Sequence, residues 1–430
     1  MLSRIVFSHR PNFSRFFRKL GAQAVSTTLL GSALSLIFSA TLLLVEPASA
    51  QMQSVLYAFQ GTPDGKTPTS GVVFDAQGNL YGVTRDLGAH NNGMVYKLAP
   101  SGTETILYSF VISNGSQPTG TPVLDSQGNI YGTTTSGGAH QNQGTVYQVT
   151  PGGVETVLYS FTKKGGYAPT GDLIRDERGN LYGTAAQGGL VTAECPLGCG
   201  TVFKLSPSGT ETVLYQFMGG ADGAGPFGGL VADQQGNFYG TTSAGGTLNF
   251  GAVFKLTPAG VESVLYSFKS GTDGRNPYGR LTLDAKGNLY GATEHGGGST
   301  NPACFGNGCG VIFKVTPAGK EKVLHAFTGG ADGGTPNGGL AFDSLGNLFG
   351  STFVDGVFNS GTLFKVSPFG HFSVIYSFTG GADGGNPNGD LIFDPQDNLY
   401  GTTTYGGVSK LLCPCGVVFK LTPKTDPMGK

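Results

Sequence analysis

The sequence contains no tryptophan, and only 12% of its residues are charged, about half the share usual in globular proteins. Acidic and basic residues nearly cancel, 27 against 26. That balance excludes the basic footprint of a nucleic-acid binder and a polybasic membrane patch. Sustained helical spacing is missing beyond residue 50, which argues against a helical bundle. Histidines number only six, and neither a Ser/His/Asp set nor an HExxH helix stands out. What is plentiful is glycine, with 74 residues. The glycines fall in short runs between apolar segments, as turns and loops require.

The first fifty residues differ from the rest. Arg4, Arg10, Arg15, Arg18 and Lys19 come without an acidic residue, and an apolar run, "LLGSALSLIFSATLLLV", follows from Leu29 to Val45. Next comes "EPASA", with Ala48 and Ala50 in A-x-A spacing. Residues 1–50 read as a secretory signal cut after Ala50. An uncleaved membrane anchor is the alternative, although the run is at the short end for a span. The cut has no cysteine beside it, which argues against lipid attachment there. The tail after Phe419, "KLTPKTDPMGK", has no apolar anchor. The expectation is a secreted monomer, extracellular or in the periplasm and cell envelope, with no membrane span once the signal is removed.

One eight-residue phrase occurs seven times: "DAQGNLYG" at Asp75, then variants at Asp125, Asp176, Asp233, Asp284, Asp343 and Asp394. Each copy sits among four short runs rich in Val, Leu, Phe, Tyr and Thr and bounded by Gly, Pro, Asn and Asp. These are strand signals. Four short strands repeating about every 50 residues mark a propeller blade. The chain begins this pattern with a fourth-type strand, Ser54 to Phe59, and the seventh unit ends after its third, "GVVFKLTP". The fold class is therefore all-β: a seven-bladed β-propeller over residues 51–424, followed by a short tail, 425–430. The N-terminal strand is expected to complete the last blade and so close the ring, which removes open sheet edges.

The phrase reads as the turn between first and second strands, with Asp opening a type I turn and Gly at a left-handed position. "DPQDN" keeps that geometry, with Pro395 at the second turn position and Asp397 replacing the glycine. Lys97 and Glu104, with Lys204/Glu211, Lys255/Glu262 and Lys314/Glu321, are seven apart across a "P-x-G" turn. They are expected as exposed cross-strand pairs of roughly 0–1 kcal/mol each.

Binding is expected on the opposite face, where the long variable loops and the channel mouth lie. The loop from fourth to first strand places Asp64, Asp222, Asp273, Asp332 and Asp383 at one repeat position. Asp222, Asp273, Asp332 and Asp383 could form a carboxylate ring at the mouth for Ca²⁺ or a hydroxyl-rich ligand. Alternatively each aspartate starts a loop turn by bonding its own backbone. All six cysteines lie in the longest loops between second and third strands. Cys195 with Cys199 and Cys304 with Cys309 are expected as local disulfides in an exported chain, and a metal site is the alternative. The ring closed by Cys413-Pro-Cys415 is short enough to strain disulfide geometry, so that pair stays open. His90 and His140 occupy matching loops, and His295 with Glu294 could serve a propeller enzyme together with loop aspartates.

The unit "D-x-x-G-N-L-Y-G-T-T…G-T-V-F-K-L-T-P-x-G" resembles the bacterial choice-of-anchor tandem repeat of the GloVer type. The likeness covers all seven units. It implies an exported repeat domain, and it brings no catalytic residue with it. The reading is a non-enzymatic propeller binding an unidentified glycan or protein on its loop face. The alternatives are an extracellular hydrolase or lyase, with or without a Ca²⁺ requirement, acting on polysaccharide or a lactone, and a structural envelope protein.

Overall fold

The structure is a computed structural model, and it describes residues 52–140, 142–304, 306–407 and 413–422. The signal assigned to residues 1–50 and the tail at 425–430 lie outside the described residues. Seven antiparallel sheets follow one another along the chain, with no α-helix among the described residues. The third blade shows the plan: Ile174–Arg175, Leu181–Ala185, Thr201–Leu205 and Glu211–Gln216 pair in that order. The residues just before the first strands of all seven blades line one central channel. The first strand is thus innermost and the fourth outermost.

Closure is as the sequence suggests. Met52–Ala58 pairs antiparallel with Val417–Thr422 and completes the seventh blade. Phe59 extends the contact, its N–H donating to Gly416 O at 3.0 Å.

The repeated phrase is a turn built around one carboxylate. Asp75 Oδ1 accepts the backbone N–H groups of Gln77 and Asn79 at 2.9 Å, while Oδ2 accepts Asn79 Nδ2 at 2.7 Å and the Tyr81 hydroxyl at 3.0 Å. Asp125, Asp176, Asp233, Asp284 and Asp394 receive the same set of donors. This explains why the phrase also keeps Asn and Tyr. Asp397 takes φ 58° at the left-handed position.

The last glycine of the phrase has a different reason. It pairs with an aromatic residue on the third strand, as Gly183 does with Phe203. A Cβ at Gly183 would lie 2.8 Å from both Leu173 and Phe203. The ring covering the glycine is in turn met by a phenylalanine from the end of the previous blade. Phe161 meets Phe203 at 5.1 Å, and Phe59, from the closing strand, meets Tyr96 at 5.1 Å, both edge-on. All seven of these phenylalanines are buried: Phe59, Phe110, Phe161, Phe217, Phe268, Phe327 and Phe378.

The expected lysine–glutamate pairs do not form. Lys97 lies opposite Thr105, and Glu104 lies opposite Leu98. One residue of offset puts the two side chains on opposite sheet faces. Lys97, Lys204, Lys255 and Lys314 instead cover the phrase tyrosines at 5.2–5.8 Å, and the glutamates face the previous blade.

Two outcomes follow from this packing. Deleting Met52–Phe59 strips the seventh blade of its outer strand, so the melting temperature is expected to fall for the whole ring. An unchanged melt would refute closure by this strand. Gly183→Ala overpacks a filled site and is expected to cost about 1–3 kcal/mol, measurable by urea denaturation.

Candidate functional site

The channel mouth on the loop face is built from two rings of residues. Each blade carries a proline in its fourth-to-first loop, and the residue before it is left-handed in every blade, with φ from 52° at Ala168 to 63° at Gly225. That residue donates its N–H to the preceding blade: Thr67 to Cys415 O at 3.0 Å, Ala168 to Gln143 O at 3.1 Å, Thr335 to Cys309 O at 2.8 Å. Its carbonyl accepts from the end of the second strand, as Thr67 O does from Arg85 N and Asn276 O from Glu294 N, both at 3.0 Å. A non-glycine residue at positive φ costs energy and persists where its surroundings fix it. Here it fixes where the next residues point.

The residue after each proline lines a cavity of about 570 Å³: Thr69, Thr119, Thr170, Phe227, Tyr278, Asn337 and Asn388, with Arg85, Thr135 and Glu294 from the second strands. Chemistry varies around this ring. Blades one to three give hydroxyls, blades four and five give aromatics, and blades six and seven give amides. Phe227 and Tyr278 lie 5.0 Å apart at 46°. Thr69 Oγ1 and Asn337 Oδ1 are buried and have no hydrogen-bond partner among the described residues. Burial raises the Glu294 carboxyl above its ordinary range.

Next along the chain, two residues further on, a charged bridge crosses the channel. Arg280 Nε is 3.6 Å from Asp172 Oδ2 and 3.3 Å from Asp390 Oδ2, so blades three, five and seven are tied together. Asp172 also accepts Thr121 N–H at 2.6 Å, and Asp390 accepts Gly339 N–H at 2.7 Å. Burial and then the neighbouring Asp390 charge raise the Asp172 carboxyl well above its usual range.

The loop aspartates do not gather at the mouth. Asp222 binds the Tyr215 hydroxyl and Met218 N–H, both at 2.9 Å. Asp273 binds the Tyr266 hydroxyl at 2.7 Å and Lys269 N–H at 3.0 Å. Asp383 binds the Tyr376 hydroxyl and Thr379 N–H, both at 2.9 Å. Asp332 meets His325 Nε2 at 3.1 Å and Thr328 N–H at 3.0 Å. Each carboxylate is thus tied to the outermost strand of its own blade, one per seam between blades. The proposed ring is corrected on that ground: the aspartates precede the mouth residues by five positions, and their chain partners hold them under the outer strands. Among the described residues, no three His, Cys, Asp or Glu side chains are grouped to hold a metal ion.

All three cysteine pairs are disulfide-bonded, with Cα separations of 5.1, 5.0 and 5.1 Å for Cys195–Cys199, Cys304–Cys309 and Cys413–Cys415. The last pair, left open from its short spacing, is joined in the structure, and its Cα separation is an ordinary one for a disulfide. The bridges belong to the core: Cys199, Cys304, Cys309 and Cys415 are buried. Cys304–Cys309 packs on Gly329, where an added Cβ would meet both sulfurs at 2.6–2.7 Å. His90 and His140 are exposed. His295 Nε2 is 3.8 Å from Glu294 Oε2, and no hydrogen bond joins either side chain to a loop aspartate among the described residues.

The mouth residues were not among those singled out from the sequence. Their signal is a variable position inside a constant motif: the residue after the repeated proline changes from Thr to Phe, Tyr and Asn, while the proline before it stays fixed and a glycine follows it in six of the seven units.

The seams carry a pH dependence. Glu104, Glu262 and Glu321 each face a loop aspartate of the preceding blade, namely Asp64, Asp222 and Asp273. Burial, and then those aspartate charges, push the three glutamates up to about 7. A carboxyl raised in the folded state contributes stability that is fully present below its unfolded pKa and is lost as pH rises through the folded value. The melting temperature is therefore expected to fall between about pH 4.5 and 7. Glu104→Gln, Glu262→Gln and Glu321→Gln together should flatten that fall. A wild-type profile that is already flat would show the seam carboxyls to be unperturbed.

Residues 36–193, 106–305 and 303–430 match the model of the Gloeobacter/Verrucomicrobia repeat. A search of curated proteins returned no match. Among solved structures, the chain is similar to the extracellular domain of the hybrid two-component system BT3049 of B. thetaiotaomicron, with 13% identity and TM-score 0.53, covering 87% of this chain and 41% of that one. It is also similar to PorZ, a surface component of the type-IX secretion system of Porphyromonas gingivalis, with 14% identity and TM-score 0.52, covering 85% and 48%. The chain spans less than half the length of these structures, and at such identity the likeness concerns the fold. The matched repeats run through all seven blades, and the chain belongs to the Gloeobacter/Verrucomicrobia repeat family.

Proposed function

We propose that this propeller repeat protein is exported and binds a hydroxyl-rich ligand of the saccharide class at the channel mouth. The observation that carries the reading is the composition of the mouth. An aromatic pair, Phe227 and Tyr278, faces a cavity whose remaining rim is mostly threonine and asparagine. A sugar ring has the matching surfaces: C–H groups that pack on an aromatic face, and hydroxyls that exchange hydrogen bonds with hydroxyl and amide side chains. A cavity of about 570 Å³ lies within the usual size of a small-molecule site. The unpartnered Thr69 Oγ1 and Asn337 Oδ1 would regain partners on binding, and buried polar groups without partners are costly. The basic and apolar N-terminal segment and the three disulfides support export.

A glycan array followed by calorimetry tests this reading. Binding of a saccharide is expected, and Tyr278→Ala or Asn337→Ala should weaken it tenfold or more without changing the melting temperature appreciably. Binding that both variants leave intact would place the ligand elsewhere. Absence of binding to every glycan would refute the ligand class.

A further inference from the structure

On the turn face, opposite the channel mouth, the sixth blade alone carries large apolar residues at two turn positions among the described residues. At the third position of the repeated phrase the other blades carry Gln, Arg or Lys, whereas the sixth carries Leu345. In the "P-x-G" turn the first five blades carry Ser, Gly or Ala, whereas the sixth carries Phe369. Both apolar side chains project into solvent: Phe369 is 99% exposed and Leu345 is 78% exposed. Phe369 also borders a groove of about 650 Å³ between the fifth and sixth blades. The groove floor is apolar, with Leu324 and Phe342 among its lining residues, and its fifth-blade side carries Lys286, Lys314 and Lys322. Lys314 Nζ is held over the Tyr290 ring at 5.2 Å. The one acidic lining residue, Asp284, already receives the donors of its own turn.

Similar grooves between other blades differ in kind. The groove between blades four and five is lined by Lys255 as its only basic residue and has no exposed aromatic. The groove between blades three and four has Arg175, Arg178 and Lys204, but Asp176, Glu177 and Asp233 offset them. Of these three grooves, only the one between the fifth and sixth blades combines an exposed aromatic, an apolar floor and an excess of positive charge.

We infer that this groove is a docking site for an acidic segment of a partner protein, one that places an apolar side chain against Phe369 and the groove floor and carboxylates on Lys286, Lys314 and Lys322. Charge complementarity selects the acidic partner. The exposed phenylalanine is the anchor, since aromatic residues carry much of the binding energy at interfaces. Being on the turn face, the site is independent of the channel mouth, so a protein partner and a mouth ligand can be bound together.

The test uses synthetic hexapeptides holding one Leu or Phe among Glu, Ser or Lys residues, with binding to the folded protein followed by fluorescence anisotropy. Peptides of the Glu series are expected to bind, and to bind more weakly as salt is raised. Phe369→Ser should weaken them tenfold or more. Lys286→Gln with Lys322→Gln should weaken them severalfold and reduce the salt dependence. All three side chains are exposed, and unchanged melting temperatures would confirm that the variants fold. Equal binding of the Ser or Lys series, or binding untouched by Phe369→Ser, would overturn the proposal. Two further results would also overturn it in favour of another occupant. One is sedimentation that shows self-association abolished by Phe369→Ser. The other is co-sedimentation with anionic phosphatidylserine vesicles that is lost in the same variant.

Discussion

The edge-on contact between a phenylalanine at the end of one blade and the aromatic ring of the next blade's third strand is the interaction on which the ring depends. The contact recurs at every seam, from Phe59 on Tyr96 to Phe378 on Phe419, with centroids 4.9–5.4 Å apart, edge-on at six seams and tilted at 57° between Phe327 and Phe364. Each blade has both faces covered by neighbours, so its strands are apolar on both sides and no blade is a complete core alone. The glycine beneath each ring is needed because the ring lies where its Cβ would be. The chain must also return to its start, because Phe59 supplies the seam between blades seven and one.

A second constraint acts on the loop face. The glycine before each third strand lies against the proline of the following blade, as Gly93 does against Pro118 and Gly416 against Pro68. The left-handed residue before that proline bridges the same two blades through its N–H. Backbone held this firmly can carry a variable side chain without losing position. That is why the mouth has a fixed outline with hydroxyls, aromatics and amides placed around it by sequence alone.

The outer half of each seam shows the same economy with different chemistry. A loop acid, a tyrosine of the outer strand and a glutamate of the next blade meet at seams one, four and five. At the second seam Asn114 replaces the acid and bonds Glu155 at 2.8 Å. At the third, Gly165 leaves the glutamate facing Tyr159. At the sixth, Phe372 replaces the glutamate and stacks on His325 at 3.5 Å. These substitutions avoid paired carboxylates at some seams and retain them at others, and the three glutamates pushed up to about 7 are those that keep a facing aspartate.

Blade number, strand count, closure by the N-terminal strand and the role of the repeated phrase were all legible in the sequence, because they depend on local turn chemistry and on period. Asp75 and its relatives organise a turn within five residues, and such contacts can be read from spacing. The cross-strand lysine–glutamate pairing was misread because register shifts the two residues by one, and that shift turns side chains to opposite faces. The carboxylate ring was misread for a related reason: position in the repeat does not say which of two blades a side chain joins. The mouth itself was decided only by tertiary structure. Thr69, Phe227, Tyr278 and Asn337 are 51 to 268 residues apart in sequence, and only closure of the ring brings seven equivalent positions around one opening.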